Sequence, residues 1–363
     1  MLTRFLIVAC AGGVLLACGD DKPVIVPGDL TGIPYDPRPL VVGIPETYPQ
    51  LEIPADNPMT FEGVALGRML FFDPVLSRDS SISCSSCHLP EMSFTDGNAL
   101  SKGVAGLEGR RSAMNLLDIA FHHAGLFWDG RSPTLEEQAL HPVTDPLEMD
   151  EVWENVELRL QEHPDYPVLF REAFGIARTA DITRDLVTKA IAQFERTLVT
   201  SGNSRYDRAV RGEVFFTDSE FNGYDMFFDA SGTKDAHCAH CHAAPLFTID
   251  EFRNNGIEAV SGLDNFPDPG RGEVTGAQLD NGMFKVPTLR NIGFTAPYMH
   301  NGRFNTLEEV IEHYNSGGHR QPNTDPFITQ LFLTEQQKQD LLAFLMTLAD
   351  TTFLGNPDFQ NPF

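Results

Sequence analysis

Positive charge is scarce in this sequence. Its 363 residues hold 26 lysines and arginines against 51 aspartates and glutamates, which gives a formal net charge of -25 at pH 7. Such a surface repels phosphate backbones and anionic membranes, which argues against nucleic-acid binding and allows steering of basic protein partners. The acidity is equally compatible with a role in solubility alone.

The N-terminus lacks an apolar run long enough to cross a membrane. Residues 5–16 are apolar and follow Arg4, and this pattern predicts a secretory signal over residues 1–17 that is absent from the mature protein. Leu15-Leu16-Ala17-Cys18 resembles a bacterial lipobox, so we expect an acylated Cys18 that holds the protein at a membrane surface in the periplasm. The alternative is ordinary signal cleavage that leaves Cys18 free.

Residues 18–58 show no helical or strand periodicity. Nine prolines lie between Pro23 and Pro58, which predicts an extended, semi-rigid segment that spaces or wraps the globular part. Alternating apolar and polar residues are scarce elsewhere too, whereas residues 185–199 and 341–348 place apolar side chains at helical spacing. The sequence therefore favours a helical fold.

Cysteine is rare, and none of the six copies is left over. Besides Cys10 in the signal and Cys18 in the lipobox, the cysteines form the motifs Cys84-Ser-Ser-Cys87-His88 and Cys238-Ala-His-Cys241-His242. C-x-x-C-H is the attachment signature of c-type haem, in which two thiols bond the porphyrin vinyl groups and the histidine coordinates iron. A zinc site or a redox C-x-x-C pair would not need a histidine after each pair. We therefore expect two covalently bound haems.

The two haem motifs belong to an internal duplication. Glycine, two phenylalanines and an aspartate stand at identical offsets in residues 67–73 and 223–229, each block preceding one motif. Downstream, residues 130–137 are echoed by residues 302–309 in the same order. Two tandem haem domains explain this repetition better than one domain with an insertion.

Helix start signals agree with the duplication. In both repeats a threonine and the glutamate three residues later form a capping box, which predicts helix starts at Thr134 and Thr306. We predict an all-α protein with two cytochrome c-like domains, the first over residues 59–204 and the second over residues 205–352. A tail over residues 353–363 follows.

Five blocks between residues 57 and 349 carry a resemblance to one family. They are Leu-Gly-Arg-Met-Leu-Phe-Phe-Asp (66–73), Phe-Trp-Asp-Gly-Arg (127–131), Ala-Gln-Phe-Glu-Arg-Thr-Leu (192–198), Val-Pro-Thr-Leu-Arg-Asn (286–291) and Ala-Pro-Tyr-Met-His-Asn-Gly-Arg (296–303). The sequence resembles the bacterial diheme cytochrome c peroxidases and their MauG relatives. The resemblance implies a peroxidatic first haem with His88 as its proximal ligand, and a second haem, ligated by His242, that takes in electrons.

Many family members close the first haem with a distal histidine sixteen residues after the motif histidine, and here that position is Val104. Residues 89–121 contain no histidine at all. The resemblance to MauG then implies an open or water-filled sixth site. His122, His123 and His141 remain fallback ligands, although a surface or structural imidazole is the favoured interpretation of each.

The resemblance places Gln138 and Glu148 at the family's distal pair. Heterolysis of a peroxide bond requires a base that moves a proton from one oxygen to the other, and we assign that role to Glu148, with Gln138 orienting peroxide. A lone glutamate is more often solvated, but the matched order of the blocks favours catalysis. The same resemblance makes Trp128 a relay between the haems, against the alternative of a plain core tryptophan.

Tyr314 stands where the peroxidases carry an axial methionine for the second haem. It lies three positions after Ile311 and seven after Leu307, so it shares the apolar face of a predicted helix. A phenolate stabilises oxidised iron, and the resemblance to MauG implies a His/Tyr haem. The alternative is a structural tyrosine with Met299 or Met283 as the ligand.

The family also holds a calcium ion between its domains. The resemblance assigns backbone oxygens of Thr295 and Pro297 to it, together with an asparagine side chain that is replaced here by Ser112. A serine hydroxyl is a shorter and weaker oxygen ligand, so we expect an altered or lost calcium site.

Three functions remain open at this level. The leading one reduces hydrogen peroxide with electrons from a small periplasmic cytochrome c or cupredoxin. The second, from Val104 and Tyr314, is a MauG-like oxidase that modifies aromatic side chains of a partner protein through a high-valent diheme state. The third is a diheme electron carrier without catalysis, which would gain nothing from an open haem. A homodimer is a candidate assembly by analogy with the family.

Overall fold

The protein is described by a computed structural model that covers residues 28–229 and 236–363. The predicted signal and Cys18 lie outside the described residues. Within them the chain forms twelve α-helices. These are α1 Phe61–Phe72, α2 Leu135–Gln138, α3 Leu140–Thr144, α4 Trp153–Glu162, α5 Tyr166–Phe174, α6 Arg184–Glu195, α7 Arg205–Val210, α8 Asp218–Phe228, α9 Cys238–Cys241, α10 Arg271–Thr275, α11 Leu307–Ser316 and α12 Glu335–Met346. None of the helices in the described ranges is long and apolar enough to cross a bilayer.

The described chain also contains one antiparallel pair of strands, β1 Phe252–Arg253 and β2 Phe284–Lys285. Phe252 lies opposite Lys285 in this pair. The prediction is therefore confirmed as a largely helical fold, and this short pair of strands is an addition to the all-α description. Two-residue strands are too short to produce a recognisable alternation in the sequence.

The duplicated glycines mark the closest helix crossing in each half. In the first half α1 crosses α6, and a Cβ on Gly67 would lie 1.8 Å from the carbonyl oxygen of Ala190. In the second half α8 crosses α12, and a Cβ on Gly223 would lie 2.0 Å from the carbonyl oxygen of Asp340. The equivalent glycines of the two halves therefore make equivalent helix contacts. The domain boundaries stay a prediction.

We expect Gly67→Ala and Gly223→Ala each to destabilise the fold. The added methyl group cannot fit without separating the paired helices, and overpacking of this kind costs about 1–3 kcal/mol. Gly43→Ala is the matched control, because a Cβ there meets nothing within 4 Å. Denaturation midpoints of the holoprotein measure the effect, and two variants as stable as Gly43→Ala would contradict the close crossing.

Both predicted helix starts are present, but only one capping box is complete. The hydroxyl of Thr306 accepts from the amide of Glu309, and the Glu309 carboxylate accepts from the amide of Thr306 in return. The hydroxyl of Thr134 accepts from the amide of Glu137, and no return bond from Glu137 occurs among the described hydrogen bonds. The predicted helix starts are confirmed at both positions. The second hydrogen bond of the predicted capping box is not observed at Thr134.

Helix α6 ends earlier than the apolar spacing suggests. The pattern runs to residue 199, whereas the helix ends at Glu195. Beyond that point the backbone forms hydrogen bonds with Asp118 instead of within a helix. The amide of Asp118 donates to the carbonyl of Leu198, and its carboxylate accepts from the amide of Thr200. A tertiary contact therefore ends this helix.

Both flanking segments pack on the globular part. Tyr48 of the extended segment packs with Phe121 from the first half and Leu246 from the second, so the segment lies against both halves. At the other end, Phe353 and Phe359 join the buried cluster of the first half. The C-terminal tail therefore returns to the half where the globular chain begins.

Candidate active site

The first haem motif forms part of the wall of a cavity. Cys84, Cys87 and His88 line it together with Gln138 and Glu148. The fold therefore brings the haem motif together with the two side chains predicted for the peroxide site, which come from separate loops and helices.

The second haem motif lines a second cavity of similar size. Cys238, Cys241 and His242 lie on its wall with Met299 and Tyr314. The empty space is ≈ 2080 Å³ in the first cavity and ≈ 1920 Å³ in the second, with their openings to solvent included. Both are large enough to be considered as sites for one macrocycle each.

The two motif histidines are held in the same way. The Nδ1 atom of His88 lies 2.8 Å from the carbonyl oxygen of Phe94, and Nδ1 of His242 lies 3.0 Å from that of Phe247. A carbonyl accepts only from a protonated Nδ1, which leaves the Nε2 lone pair free for a metal. Burial lowers the pKa of both imidazoles, to about 4 for His242, and so favours the neutral, coordinating form. A neutral imidazole beside two thiols on a cavity wall fits a c-type haem.

Glu148 is positioned by its backbone neighbours. Its amide donates to the carbonyl of Asp145, and its carbonyl accepts from the amide of Val104 at 2.8 Å. A Cβ on Gly103 would lie 2.1 Å from the Leu147 carbonyl oxygen, so only glycine allows this loop to approach so closely. Val104 thus contributes a backbone bond to the loop that carries Glu148.

The carboxyl group of Glu148 is poised near neutrality. Burial, which is the largest effect, and the charge of Asp145 raise its pKa to about 7, while Arg131 lowers it. Arg131 itself lines the first cavity, with its guanidinium 3.4 Å from the ring centre of Phe127. A carboxyl group with this pKa can both take up and return a proton at physiological pH.

None of the fallback histidines lies on the described wall of the first cavity. His123 is exposed, and His141 packs edge-on against Phe127. His122 lies on the wall of the second cavity, with its Nδ1 atom 2.9 Å from a carboxylate oxygen of Asp250. None of the three is therefore placed at the first cavity, and an open sixth site on the first haem stays a prediction.

Trp128 belongs to the walls of both cavities. Its indole N–H donates to the carbonyl of Ser112 at 2.9 Å, and its own carbonyl accepts from the amide of Lys285 at 2.8 Å. The ring is thus fixed between the two haem sites by one contact from each half of the chain. Its role as a relay stays a prediction.

Two candidate ligands on the wall of the second cavity share one neighbour, Asn255. Nδ2 of Asn255 lies 3.4 Å from the hydroxyl of Tyr314 and 3.4 Å from the sulfur of Met299. Both side chains line the second cavity, whereas Met283 is not on its described wall. Leu307 and Ile311 line it too, which confirms the predicted inward face of this helix. Asn255 carried no recognisable signal in the sequence.

The residues of the predicted calcium site are all on the wall of the second cavity. Ser112, Thr295 and Pro297 all contribute to it. The Ser112 hydroxyl donates to the carbonyl of Met299 at 2.9 Å. A calcium ion stays a prediction, because these contacts do not require one.

Glu195 is a cavity residue to which the sequence assigned no role. It is 5% exposed, lines the first cavity, and its Oε2 atom has no hydrogen-bond partner. Its block, residues 192–198, contributed to the resemblance, but nothing in the block shows which side chains face a cavity.

Comparisons with known proteins agree with this arrangement. Residues 61–214 match the family model described as di-haem cytochrome c peroxidase. The chain is 38% identical over 307 residues to the methylamine utilization protein MauG of Methylorubrum extorquens, covering 84% of this chain and 82% of that protein. It is 36% identical over 311 residues to the cytochrome c551 peroxidase of Nitrosomonas europaea, covering 85% of each. A crystal structure described as a MauG-like protein associated with microbial copper homeostasis superposes with a TM-score of 0.81 and 35% identity, over 88% of this chain and 98% of that one.

Proposed function

Because this chain belongs to the di-haem cytochrome c peroxidase family, we propose that it reduces hydrogen peroxide to water at the first cavity, with electrons that enter at the second. It is a cytochrome c peroxidase-type oxidoreductase and carries two c-type haems. The observation that carries the proposal is the presence of Glu148 and Gln138 on one cavity wall with the first haem motif.

A haem bound through Cys84, Cys87 and His88 supplies the redox-active iron at which peroxide is reduced. Glu148 takes the proton from one peroxide oxygen and returns it to the other, so that the leaving oxygen departs as water. Gln138 binds the same substrate through its neutral amide and orients it without adding charge. Arg131 keeps enough of Glu148 ionised for the first transfer.

Electrons and protons balance over the whole reaction. Each hydrogen peroxide takes two electrons and two protons and yields two waters. A haem held by Cys238, Cys241 and His242 would accept electrons one at a time from a small redox protein, and Trp128, on the walls of both cavities, would relay them towards the first cavity. The net charge of -25 suits a basic donor.

Mixing the holoprotein with peroxide separates the three candidate functions. A peroxidase consumes peroxide and is returned to its resting spectrum by a reduced small cytochrome c. A carrier gives no spectral change with peroxide, and an oxidase that modifies proteins stays oxidised in the presence of the cytochrome. Either of the last two results would overturn the proposal.

The MauG-like function is the second candidate, and Tyr314 favours it. If Tyr314 ligates the second haem, Tyr314→Met should raise that haem's reduction potential, because a thioether stabilises ferrous iron and a phenolate stabilises ferric iron. Tyr298→Phe is the control, since Tyr298 lines the same cavity but donates its hydroxyl proton to the carbonyl of Ile292. Potentiometric titration gives the answer. Equal potentials in Tyr314→Met and the parent would restore Met299 as the ligand.

We place the mature protein in the periplasm, anchored by lipid at Cys18. The support is the N-terminal signal and the lipobox-like Leu15-Leu16-Ala17-Cys18. Cys18→Ser should move the protein from the membrane fraction to the soluble periplasmic fraction without changing its two haems. A variant that remains with the membranes would contradict the anchor. A homodimer remains part of the proposal by analogy.

A further inference from the structure

Glu195 combines three features that are seldom found together. The carboxyl group is buried at the end of α6, it faces the first cavity, and its Oε2 atom has no hydrogen-bond partner. A buried polar atom without a partner is unfavourable unless something else satisfies it. The cavity that Glu195 faces also holds Cys84, and a charge on Glu195 would raise the pKa of that thiol. The carboxyl group is therefore within electrostatic reach of a haem attached there.

The neighbouring cation is engaged elsewhere. The Arg196 side chain forms an ion pair with Glu136 of α2, with Nη1–Oε1 and Nη2–Oε2 distances of 2.8 and 2.9 Å. Glu136 also accepts from the side-chain amide of Asn57. Arg196 thus offers Glu195 only a partial counter-charge.

The helix packed against α6 provides no counter-ion either. On α1, Glu62 is paired with Arg38, and Arg68 donates to the carbonyls of Pro357 and Gln360. The wall of the first cavity also carries Glu148, itself an acid, and the cations Lys102, Arg110, Arg111 and Arg131. None of these is among the charges that shift the pKa of Glu195. Burial is therefore the dominant influence on Glu195 and raises its pKa to about 8, with Glu136 raising it further and Arg196 lowering it. The protonated form is therefore favoured at pH 7, and the carboxylate is favoured above about pH 8.

We propose that Glu195 is the proton-holding group linked to the redox state of the first haem: under alkaline conditions, where the oxidised protein holds it as a carboxylate, it binds a proton when that haem gains an electron and releases it when the electron leaves. The step balances, because reduction adds one electron to the haem and one solvent proton to the Glu195 carboxylate, and oxidation removes both. The proton offsets the charge of the added electron, so that two negative charges are not held together at a site of low dielectric, where they would be strongly coupled. The inference rests on the proposed assignment of the first cavity to the peroxidatic haem.

Spectroelectrochemical titration of the first haem at several pH values tests this directly. In the parent the reduction potential falls as pH rises through the region of pH 8, because a carboxylate stabilises the oxidised form. In Glu195→Gln the amide imitates the protonated acid, so the potential stays at the parent's low-pH value throughout. The control is Asp185→Asn on the exposed end of the same helix, which should titrate like the parent. A Glu195→Gln variant that still titrates like the parent overturns the proposal.

A second measurement is made on the parent protein, so its main result does not depend on whether Glu195→Gln folds. The infrared difference spectrum between the reduced and oxidised protein should contain the C=O band of a protonated carboxyl group, shifted in D₂O. It should persist in Glu148→Gln, which removes the other carboxyl group of this cavity whose pKa burial raises, and disappear in Glu195→Gln. Absence of the band would overturn the proposal. Peroxide reduction is a separate readout, so loss of activity with an intact pH-dependent potential would contradict only the proposed function.

Discussion

Glu148→Gln is expected to slow peroxide consumption by about a hundredfold or more, which is the usual contribution of a positioned general base. Glutamine has nearly the same shape and still lines the cavity, but its amide cannot take up the peroxide proton. Glu137→Gln is the matched control, because Glu137 is an exposed carboxylate one residue before Gln138 and is not on the described cavity wall. The second-order rate with peroxide is the quantity to compare, with haem content verified in both variants.

The pH profile gives the same prediction an independent test. Glu148 must be ionised to accept a proton, and its pKa is raised to about 7, so the parent's rate should increase as pH rises through 7. This step in the profile should be missing in Glu148→Gln. A variant with the parent's rate and profile would show that another group is the base, and His141 would be examined next.

Trp128→Phe is expected to slow the transfer of electrons between the haems. The variant should keep both haems and still react with peroxide, but peroxide-driven oxidation of a prereduced second haem should slow by about tenfold or more, which corresponds to about 1.4 kcal/mol of activation free energy. Phenylalanine is smaller and harder to oxidise, and it cannot donate to the carbonyl of Ser112. Rapid mixing with peroxide resolves this step.

The second tryptophan provides the control. Trp153 is buried in the core of the first half, donates to the carbonyl of Leu140, and lines neither cavity in the described structure. Trp153→Phe should therefore reduce stability while leaving electron transfer at the parent's rate. If both variants transferred electrons equally fast, Trp128 would be a core residue and the relay would be wrong.

The sequence was most informative where function depends on local order. Two thiols and a histidine must meet one macrocycle, so the C-x-x-C-H spacing predicted both haem sites before any fold was known. Helical spacing likewise placed Tyr314 on the same face as Leu307 and Ile311, and all three line the second cavity.

Residues whose positions depend on tertiary contacts could not be predicted. Asn255 lies in a loop next to β1 and meets Tyr314 only after the chain has folded. His122 was considered for the first haem but lies at the second, where Asp250 from the other half binds it. The burial of Glu195 results from helix packing, and the presence of a glutamate at one position of the sequence does not predict it.

The most direct test of the whole account is to count electrons. Reduced small cytochrome c should be oxidised in the presence of the holoprotein with two molecules consumed per hydrogen peroxide and water as the product, and His88→Ala should abolish the reaction. Failure of the holoprotein to oxidise the cytochrome with peroxide, or an unchanged reaction in His88→Ala, would contradict the account.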